Sequence, residues 1–274
     1  MVDLTKEKEI RLERRGVTDG EIENWLSKVF QDCQLLEVLS FHDNRINLAN
    51  GKLTDALIST SCQALRELDL GDNDIGPLGA KHLAGALKEN RTLKKVSVAG
   101  NHIGDEGAAA LAEALAPPNS ALQSLDVCDN LIGATGAARL ADVLVQNETL
   151  LALDLTGNPL GNDGTEALAN ALRKNMTLRE LRLGCVGMSD EGARALGECV
   201  EKNEGLTKMW INSNDIGDDG MMALERALRK KNKLKLREIW FNGNPVSPAI
   251  YVKMYNVLSN DGQTKPVGVL AFVE

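Results

Sequence analysis

Residues 65–92 of the chain read LRELDLGDNDIGPLGAKHLAGALKENRT. Leucines stand at positions 65, 68 and 70, and they are followed by Asn73, Ile75 and Gly76. The same spaced pattern returns after about 28 residues along most of the chain, and such a period indicates a stacked array of similar units. The clearest copies begin at Leu65, Leu93, Leu122, Leu150, Leu178 and Leu206.

Each copy combines a strand pattern with a helix pattern. In the stretch RELDL, polar and apolar residues alternate, which predicts a short strand with Leu68 on its buried side and Glu67 and Asp69 on its outward side. Further along the copy, Leu83 and Leu87 stand at helical spacing among alanines. Stacked units of this kind predict a parallel sheet on the inside of a curve and helices on the outside.

Asparagines recur at two positions of the repeat. The first follows the strand, where a buried amide can satisfy the backbone groups of a turn, and we expect a ladder of such amides; it holds Asn44, Asn73, Asn101, Asn130, Asn158, Asn214 and Asn244. The second lies at the helix exit, where we expect the left-handed conformation that asparagine tolerates; it holds Asn90, Asn147, Asn175, Asn203 and Asn232.

The pattern weakens at both ends of the chain. We interpret residues 1–35 as an N-terminal capping repeat, whose residues 18–21 (Thr-Asp-Gly-Glu) resemble a capping box at a helix start. Residues 36–247 then hold about eight repeats of about 28–30 residues each. Residues 248–274 form a C-terminal cap, with a final helix and the apolar segment VGVLAFVE as a lid.

One copy departs from the pattern. In the repeat that begins at Leu178, Val186 occupies the first asparagine position and Ser189 replaces a glycine. Two interpretations stay open, namely local repacking with Cys185 or a deformed loop that meets a partner.

Composition restricts the function classes. The net charge of -8 argues against electrostatic binding of nucleic acid, which requires the opposite balance. The five cysteines are scattered and lack CxxC spacing, which indicates reduced thiols and a cytoplasmic protein, with nuclear or cytoskeletal association as alternatives. The charged start MVDLTKEKEIRLERRG predicts no signal peptide, and no apolar run predicts a membrane span. We expect a monomer.

Motifs of catalysis are missing from the sequence. The three histidines, His42, His82 and His102, fall in different repeats and at different positions of the repeat. The chain contains no HExxH, phosphate-loop or GxSxG motif and no metal-spaced set of cysteines. The sequence therefore predicts no catalytic residue, no metal site, no cofactor and no enzymatic activity.

The outward strand positions offer a more specific hypothesis. In-register parallel strands make equivalent residues neighbours, so Trp210 and Trp240 should lie side by side and exposed, with Arg182 next to them, as in a binding hot spot. Aspartates and glutamates further along predict attraction of a basic partner segment. The predicted partner-binding residues are Trp210, Trp240, Arg182, Glu180, Asn212, Asn242, Asp154, Asp126, Asp69 and Glu67.

Each of these features has a structural alternative. The tryptophans would instead stack on each other and on the C-terminal lid as a cap. The acidic positions would instead form an ordinary solvated surface.

The pattern LxxLxLxxNxIGxxGAxxLAxALxxNxT, visible at 65–92, 93–121, 150–177 and 206–235, resembles the ribonuclease-inhibitor-like class of leucine-rich repeats. The resemblance covers residues 36–247 and implies an α/β solenoid shaped like a horseshoe. It also implies a non-enzymatic scaffold that binds a protein on its concave face. The class includes the GTPase-activating protein of Ran, so a GTPase activator with polar rim residues near Asn73, Asn101 or Asn130 is the alternative. A ligand-sensing fragment of an immune receptor is a third hypothesis.

Overall fold

The computed structural model describes residues 7–23, 25, 35–58, 63–117, 121–230 and 235–259. The chain forms two compact units, Met1–Leu131 and Ile132–Glu274. The first unit contains β1 (Glu9–Arg11), β2 (Val38–Ser40), α1 (Lys52–Ile58), β3 (Glu67–Asp69), α2 (Gly76–Glu89), β4 (Lys95–Ser97), α3 (Gly104–Ala114) and β5 (Ser124–Asp126). The second contains α4 (Ala134–Leu144), β6 (Ala152–Asp154), α5 (Gly161–Leu172), β7 (Glu180–Arg182), α6 (Asp190–Lys202), β8 (Lys208–Trp210), α7 (Asp218–Lys230), β9 (Glu238–Trp240) and α8 (Pro248–Ser259).

Strands within each unit pair in parallel and in sequence order. The register is constant from repeat to repeat; in the first unit Leu39 pairs with Leu68 and Leu68 with Val96. In the second unit Leu153 pairs with Leu181 and Leu181 with Met209. The predicted α/β solenoid, with parallel strands that alternate with helices, is confirmed.

Layers of aliphatic side chains form the core of each repeat. Leu65, Leu68 and Leu70 of the quoted stretch are buried, as are Leu83 and Leu87 of α2. Gly79 lies where α2 meets the preceding repeat, because a Cβ there would be only 2.3 Å from the carbonyl oxygen of Asn47. The glycine therefore allows a helix-to-backbone approach that no side chain would permit.

The predicted asparagine ladder is present. The amide nitrogen of Asn101 donates to the carbonyls of Val98 in its own repeat and Leu70 in the preceding one, at 3.0 and 2.8 Å. Its Oδ1 accepts a hydrogen bond from the backbone N–H of Ile75. One side chain thus joins the turns of two successive repeats.

The helix-exit asparagines differ from the prediction. Asn90 and Asn203 have extended backbones, with φ of -73° and -70°, so the left-handed conformation predicted here is wrong for both. Their amides form a second ladder instead: Asn203 donates to the carbonyls of Leu172 and Asn175 in the preceding repeat. A residue with a left-handed backbone lies directly before the first asparagine instead, as at Asp72 with φ of 51°. Asn232 lies outside the described residues.

The irregular repeat keeps the backbone hydrogen bonds that join its turn to the preceding repeat. Gly157 and Gly161 donate to the carbonyls of Gly184 and Val186, at 2.9 Å in both cases. Val186 is buried and Cys185 is exposed, so the thiol does not fill the missing amide's place. The loop before the helix differs from that of the preceding repeat, because Ser189 has a φ of -111° where Gly161 has 63°. Since Val186 offers no side-chain acceptor, the N–H of Leu160 donates to the carbonyl of Asn158.

Acidic side chains at the start of one helix cap the start of the next helix. Asp190 Oδ1 accepts hydrogen bonds from the backbone N–H groups of Gly217 and Gly220, at 2.7 and 2.9 Å. Asp218 accepts from the N–H of Ser247 at 2.7 Å, and this hydrogen bond lowers the pKa of the Asp218 carboxyl. The carboxylates at the helix starts therefore link neighbouring repeats through hydrogen bonds, in addition to their favourable position at the positive end of a helix dipole.

The two ends match the predictions where they are described. Glu21 accepts a hydrogen bond from the N–H of Thr18, which is one half of a capping box, and this bond lowers the pKa of Glu21. The other half differs, because the Thr18 hydroxyl donates to the Glu21 carboxylate and the Glu21 N–H donates to the main-chain carbonyl of Thr18. Helix α8 is the expected final helix, and Met254 and Leu258 are buried. The segment predicted to be a lid lies outside the described residues, and the cap boundaries stay predictions.

Candidate functional site

The register of the second unit places three predicted residues in one row. Arg182 pairs with Trp210, and Trp210 pairs with Trp240. The residues just before them in each strand, Leu181, Met209 and Ile239, are fully buried. Since side chains alternate along a strand, the row occupies the outward side of the sheet. We call this surface, with Asp154, Glu180, Lys208, Asn212, Glu238 and Asn242, the tryptophan face.

Arg182 connects the tryptophans to the acidic residues. Its Nη1 lies 3.1 Å from Asp154 Oδ2, and its guanidinium carbon lies 4.7 Å above the centre of the Trp210 ring. This geometry combines an ion pair with a cation–π contact. Both contacts restrict the Arg182 side chain before any partner arrives.

A second row of charges flanks the first. Lys208 Nζ lies 3.3 Å from Glu180 and 3.9 Å from Glu238, and Arg182 Nη2 lies 3.7 Å from Glu180. With Asp154, the group holds three carboxylates and two cations, which leaves one negative charge in excess. Lys208 and Glu238 are absent from the predicted site residues, although their position two residues before the tryptophans in the repeat marks the same face.

The tryptophans are half-buried, which corrects the prediction that they are exposed. Trp240 Nε1 is buried and has no hydrogen-bond partner within the described part of the chain. Asn212 is half-buried, with its amide close to Gly184, where a Cβ would lie 3.0 Å from Nδ2; Asn242 is exposed. The cap alternative depends on the lid and stays a prediction.

The acidic residues of the first unit stabilise their own strand ends. Asp69 Oδ1 accepts from the N–H of Gly71 at 2.9 Å, and Asp126 Oδ1 accepts from the N–H of Cys128 at 3.0 Å. Asp154 of the second unit makes the same contact with the N–H of Thr156. These hydrogen bonds explain why aspartate suits this position of the repeat, independently of any partner.

The remaining carboxylate oxygens of the first unit also have neighbours. Asp69 and Asp126 accept hydrogen bonds from the hydroxyls of Ser40 and Ser97. Glu67 lies 3.5 Å from Lys95. Ser40 is fully buried, although its position in the repeat predicts an outward residue. Part of the predicted acidic surface is therefore already engaged in contacts within the protein.

The described residues contain no group of three or more histidine, cysteine, aspartate or glutamate side chains that could hold a metal ion. His82 lies in α2, and its Nδ1 is 2.9 Å from the carbonyl oxygen of Leu48. Over the same described ranges, every helix is too short or too polar to span a bilayer.

Comparison with known proteins places the repeats in a family. A Leucine Rich repeat model matches residues 61–84, 89–112, 146–169, 174–197 and 203–224. Ribonuclease inhibitor of Sus scrofa is 32% identical over 120 residues, and that of Mus musculus is 33% identical over 114 residues. Each alignment covers 41% of this chain and 25% of the relative, so the chain spans a quarter of the length of these relatives.

Among solved structures, actin-binding site 2 of leiomodin-1 is 19% identical to this chain, with a TM-score of 0.44. The alignment covers 65% of this chain and 87% of the leiomodin-1 chain. The five matched segments begin three or four residues before the leucines that define the repeats, and four of those repeats carry the first asparagine and the glycines that follow it. The chain belongs to the leucine-rich repeat family, in the class of ribonuclease-inhibitor-like repeats.

Proposed function

We propose that this protein is a binding scaffold whose tryptophan face holds a partner protein, with Trp210 and Trp240 as the anchors. The single observation that carries the proposal is the row Arg182, Trp210 and Trp240, in register on an outward sheet face. The relatives named ribonuclease inhibitor act on another protein, which agrees with a binding function for this chain.

Physical reasons favour tryptophan as the anchor. An indole offers a large rigid surface with few torsions to restrict, so a partner that covers it gains apolar burial at a small entropic cost. Arg182 is already held by Asp154 and by the Trp210 ring. A preordered arginine also loses little freedom when the complex forms.

The charges around the anchors favour a partner with a basic segment. Glu180 and Glu238 flank Lys208, and the carboxylates outnumber the cations on this face. A basic segment would be attracted during approach, and salt would weaken this attraction. The apolar anchors would then supply most of the affinity.

Affinity capture from the source cells tests the proposal. Three baits are used in parallel: the wild-type protein, the double variant Trp210→Ala plus Trp240→Ala, and a control variant. The control is Tyr255→Ala, which removes an aromatic residue on α8. Binding of each captured protein is then measured with purified components. We expect each tryptophan truncation to cost at least ~2 kcal/mol, or about 30-fold in Kd, while Tyr255→Ala binds normally.

Unchanged affinity of the folded double variant for every partner of the wild type would refute the proposal. Circular dichroism and thermal unfolding show whether the double variant is folded. A loss of binding in Tyr255→Ala of equal size would also contradict it, because the effect would then not belong to the tryptophan face.

The GTPase-activator alternative stays a prediction. Asn73, Asn101 and Asn130, near which it places the active residues, are buried in the asparagine ladder. A GTPase would therefore contact exposed residues beside these asparagines, such as His102 and Asp129. Hydrolysis of GTP by Ran and related GTPases, measured with micromolar protein, decides the matter.

A further inference from the structure

Two asparagines of the described chain are followed by glycine, at Asn50-Gly51 and Asn242-Gly243. Such a pair is chemically labile because glycine has no Cβ to hinder attack of its backbone nitrogen on the preceding side-chain amide. Both asparagines are exposed. Their surroundings in the fold, however, are different.

At Asn50, the groups that would react with each other are already engaged in hydrogen bonds. The N–H of Gly51 donates to the carbonyl of Leu48 at 3.2 Å. The Asn50 Oδ1 accepts from the N–H of Lys52 at 3.1 Å, and its Nδ2 lies 3.5 Å from the carbonyl of Asp19. Ring closure at Asn50 would have to break these contacts.

Gly243 occupies the last position of a column of backbone donors. In the three preceding repeats of the second unit, the equivalent residues Gly157, Cys185 and Ser213 each donate their N–H to the following repeat. Strand β9 is the last strand of the described residues, and none of those residues accepts a hydrogen bond from the N–H of Gly243. The Asn242 amide likewise has no hydrogen bond to the described residues.

We infer that Asn242 is a site of spontaneous deamidation in the folded protein. The backbone nitrogen of Gly243 attacks Cγ of Asn242, a new C–N bond forms, and the Cγ–Nδ2 bond breaks. Ammonia leaves and takes up the proton of the Gly243 N–H, so that a five-membered succinimide remains. Water then opens the ring at Cγ to give aspartate, or at the main-chain carbonyl carbon to give isoaspartate.

Either product adds a carboxylate to the tryptophan face. Asn242 follows Trp240 by two residues, on the outward side of the same strand end. The excess of carboxylates over cations on this face would rise from one to two, in the direction that favours a basic partner. This consequence rests on the proposed function, whereas the reaction itself does not.

Peptide mapping by mass spectrometry tests the inference without any partner. The full-length protein is incubated at mildly alkaline pH, folded or in denaturant, and conversion is followed at Asn242 and at Asn50. We expect Asn242 to react several-fold faster than Asn50 in the folded protein, and the two rates to approach each other in denaturant. The denatured sample measures the difference in rate that the neighbouring sequence alone causes, so the change on folding reports the effect of the structure.

Equal rates at the two sites in the folded protein, or a ratio that denaturant leaves unchanged, would overturn the inference. The matched control is Asn242→Gln, because glutamine would have to close a larger ring and reacts far more slowly. In this variant, the acidic species that wild-type protein forms on storage should decline. Persistence of the same acidic species at the same rate would count against Asn242 as their source.

Discussion

The asparagine ladder permits a stability prediction that can be worked through contact by contact. Asn101 is fully buried, and its Nδ2 lies 2.8, 3.0 and 2.9 Å from the carbonyl oxygens of Leu70, Val98 and Ala99. Its Oδ1 accepts from the N–H of Ile75 at 3.2 Å. The substitution Asn101→Val places in this repeat the residue that the chain already carries at Val186.

The contacts that remain reduce the cost of this substitution. All three carbonyls keep a second donor, from Asn73, Asn130 and the N–H of Asp72. The N–H of Ile75 loses its acceptor and should turn to the carbonyl of Asn73, as Leu160 does next to Val186. Two lost amide donors at ~0.5–1.5 kcal/mol each, with partial compensation for Ile75, give about 2 kcal/mol of destabilisation.

Urea unfolding and thermal unfolding measure the effect. A cost of about 2 kcal/mol should lower Tm by about 4–8 °C for a chain of this size. The matched control is Val186→Asn, which exchanges a buried valine for an amide at an intact turn and should remain within about 1 kcal/mol of wild type. Hydrogen exchange of the Ile75 amide gives a local readout, with faster exchange expected in Asn101→Val.

A loss below about 0.5 kcal/mol in Asn101→Val, within the range of ordinary surface substitutions, would refute the reasoning. So would unchanged exchange of the Ile75 amide. Either result would mean that the ladder amides do not support the turns they contact.

Further predictions concern a helix contact, a cap and the tryptophan face. Gly79→Ala should destabilise the first unit by about 1–3 kcal/mol in urea unfolding, because the new Cβ would meet the backbone of Asn47. The control is Gly85→Ala, which should be neutral or stabilising because the space around its Cβ is open. The lowered pKa of Asp218 means that its contribution to stability is full above the ordinary value of 3.8 and disappears as pH falls through the lower folded pKa. Stability measured from neutral to acidic pH should therefore decline less steeply in Asp218→Asn, which keeps an acceptor for Ser247, and an identical pH profile would contradict this. A double-mutant cycle of Arg182→Ala and Trp210→Leu, which removes the aromatic ring, should give a coupling of about 0.5–1 kcal/mol, and zero coupling would show that the guanidinium does not bind the ring.

The sequence alone determined the faces of the repeats. Alternation along each strand assigns Leu181, Met209 and Ile239 to the core, and the constant period places Trp210 beside Trp240. Both conclusions hold because a strand has a fixed side-chain period of two and because parallel repeats of similar length stack in register. The first asparagine ladder follows from the same periodicity.

Tertiary structure decided which atoms meet between repeats. Asn203 reaches the carbonyls of the preceding repeat, Asp190 caps the helix of the following one, and Arg182 lies between Asp154 and the Trp210 ring. Each partner is about one repeat away in sequence, and the contact depends on how closely two layers approach and how their helices are rotated. A local pattern carries no information on these quantities, because packing between layers sets them and gives each polar side chain its partner.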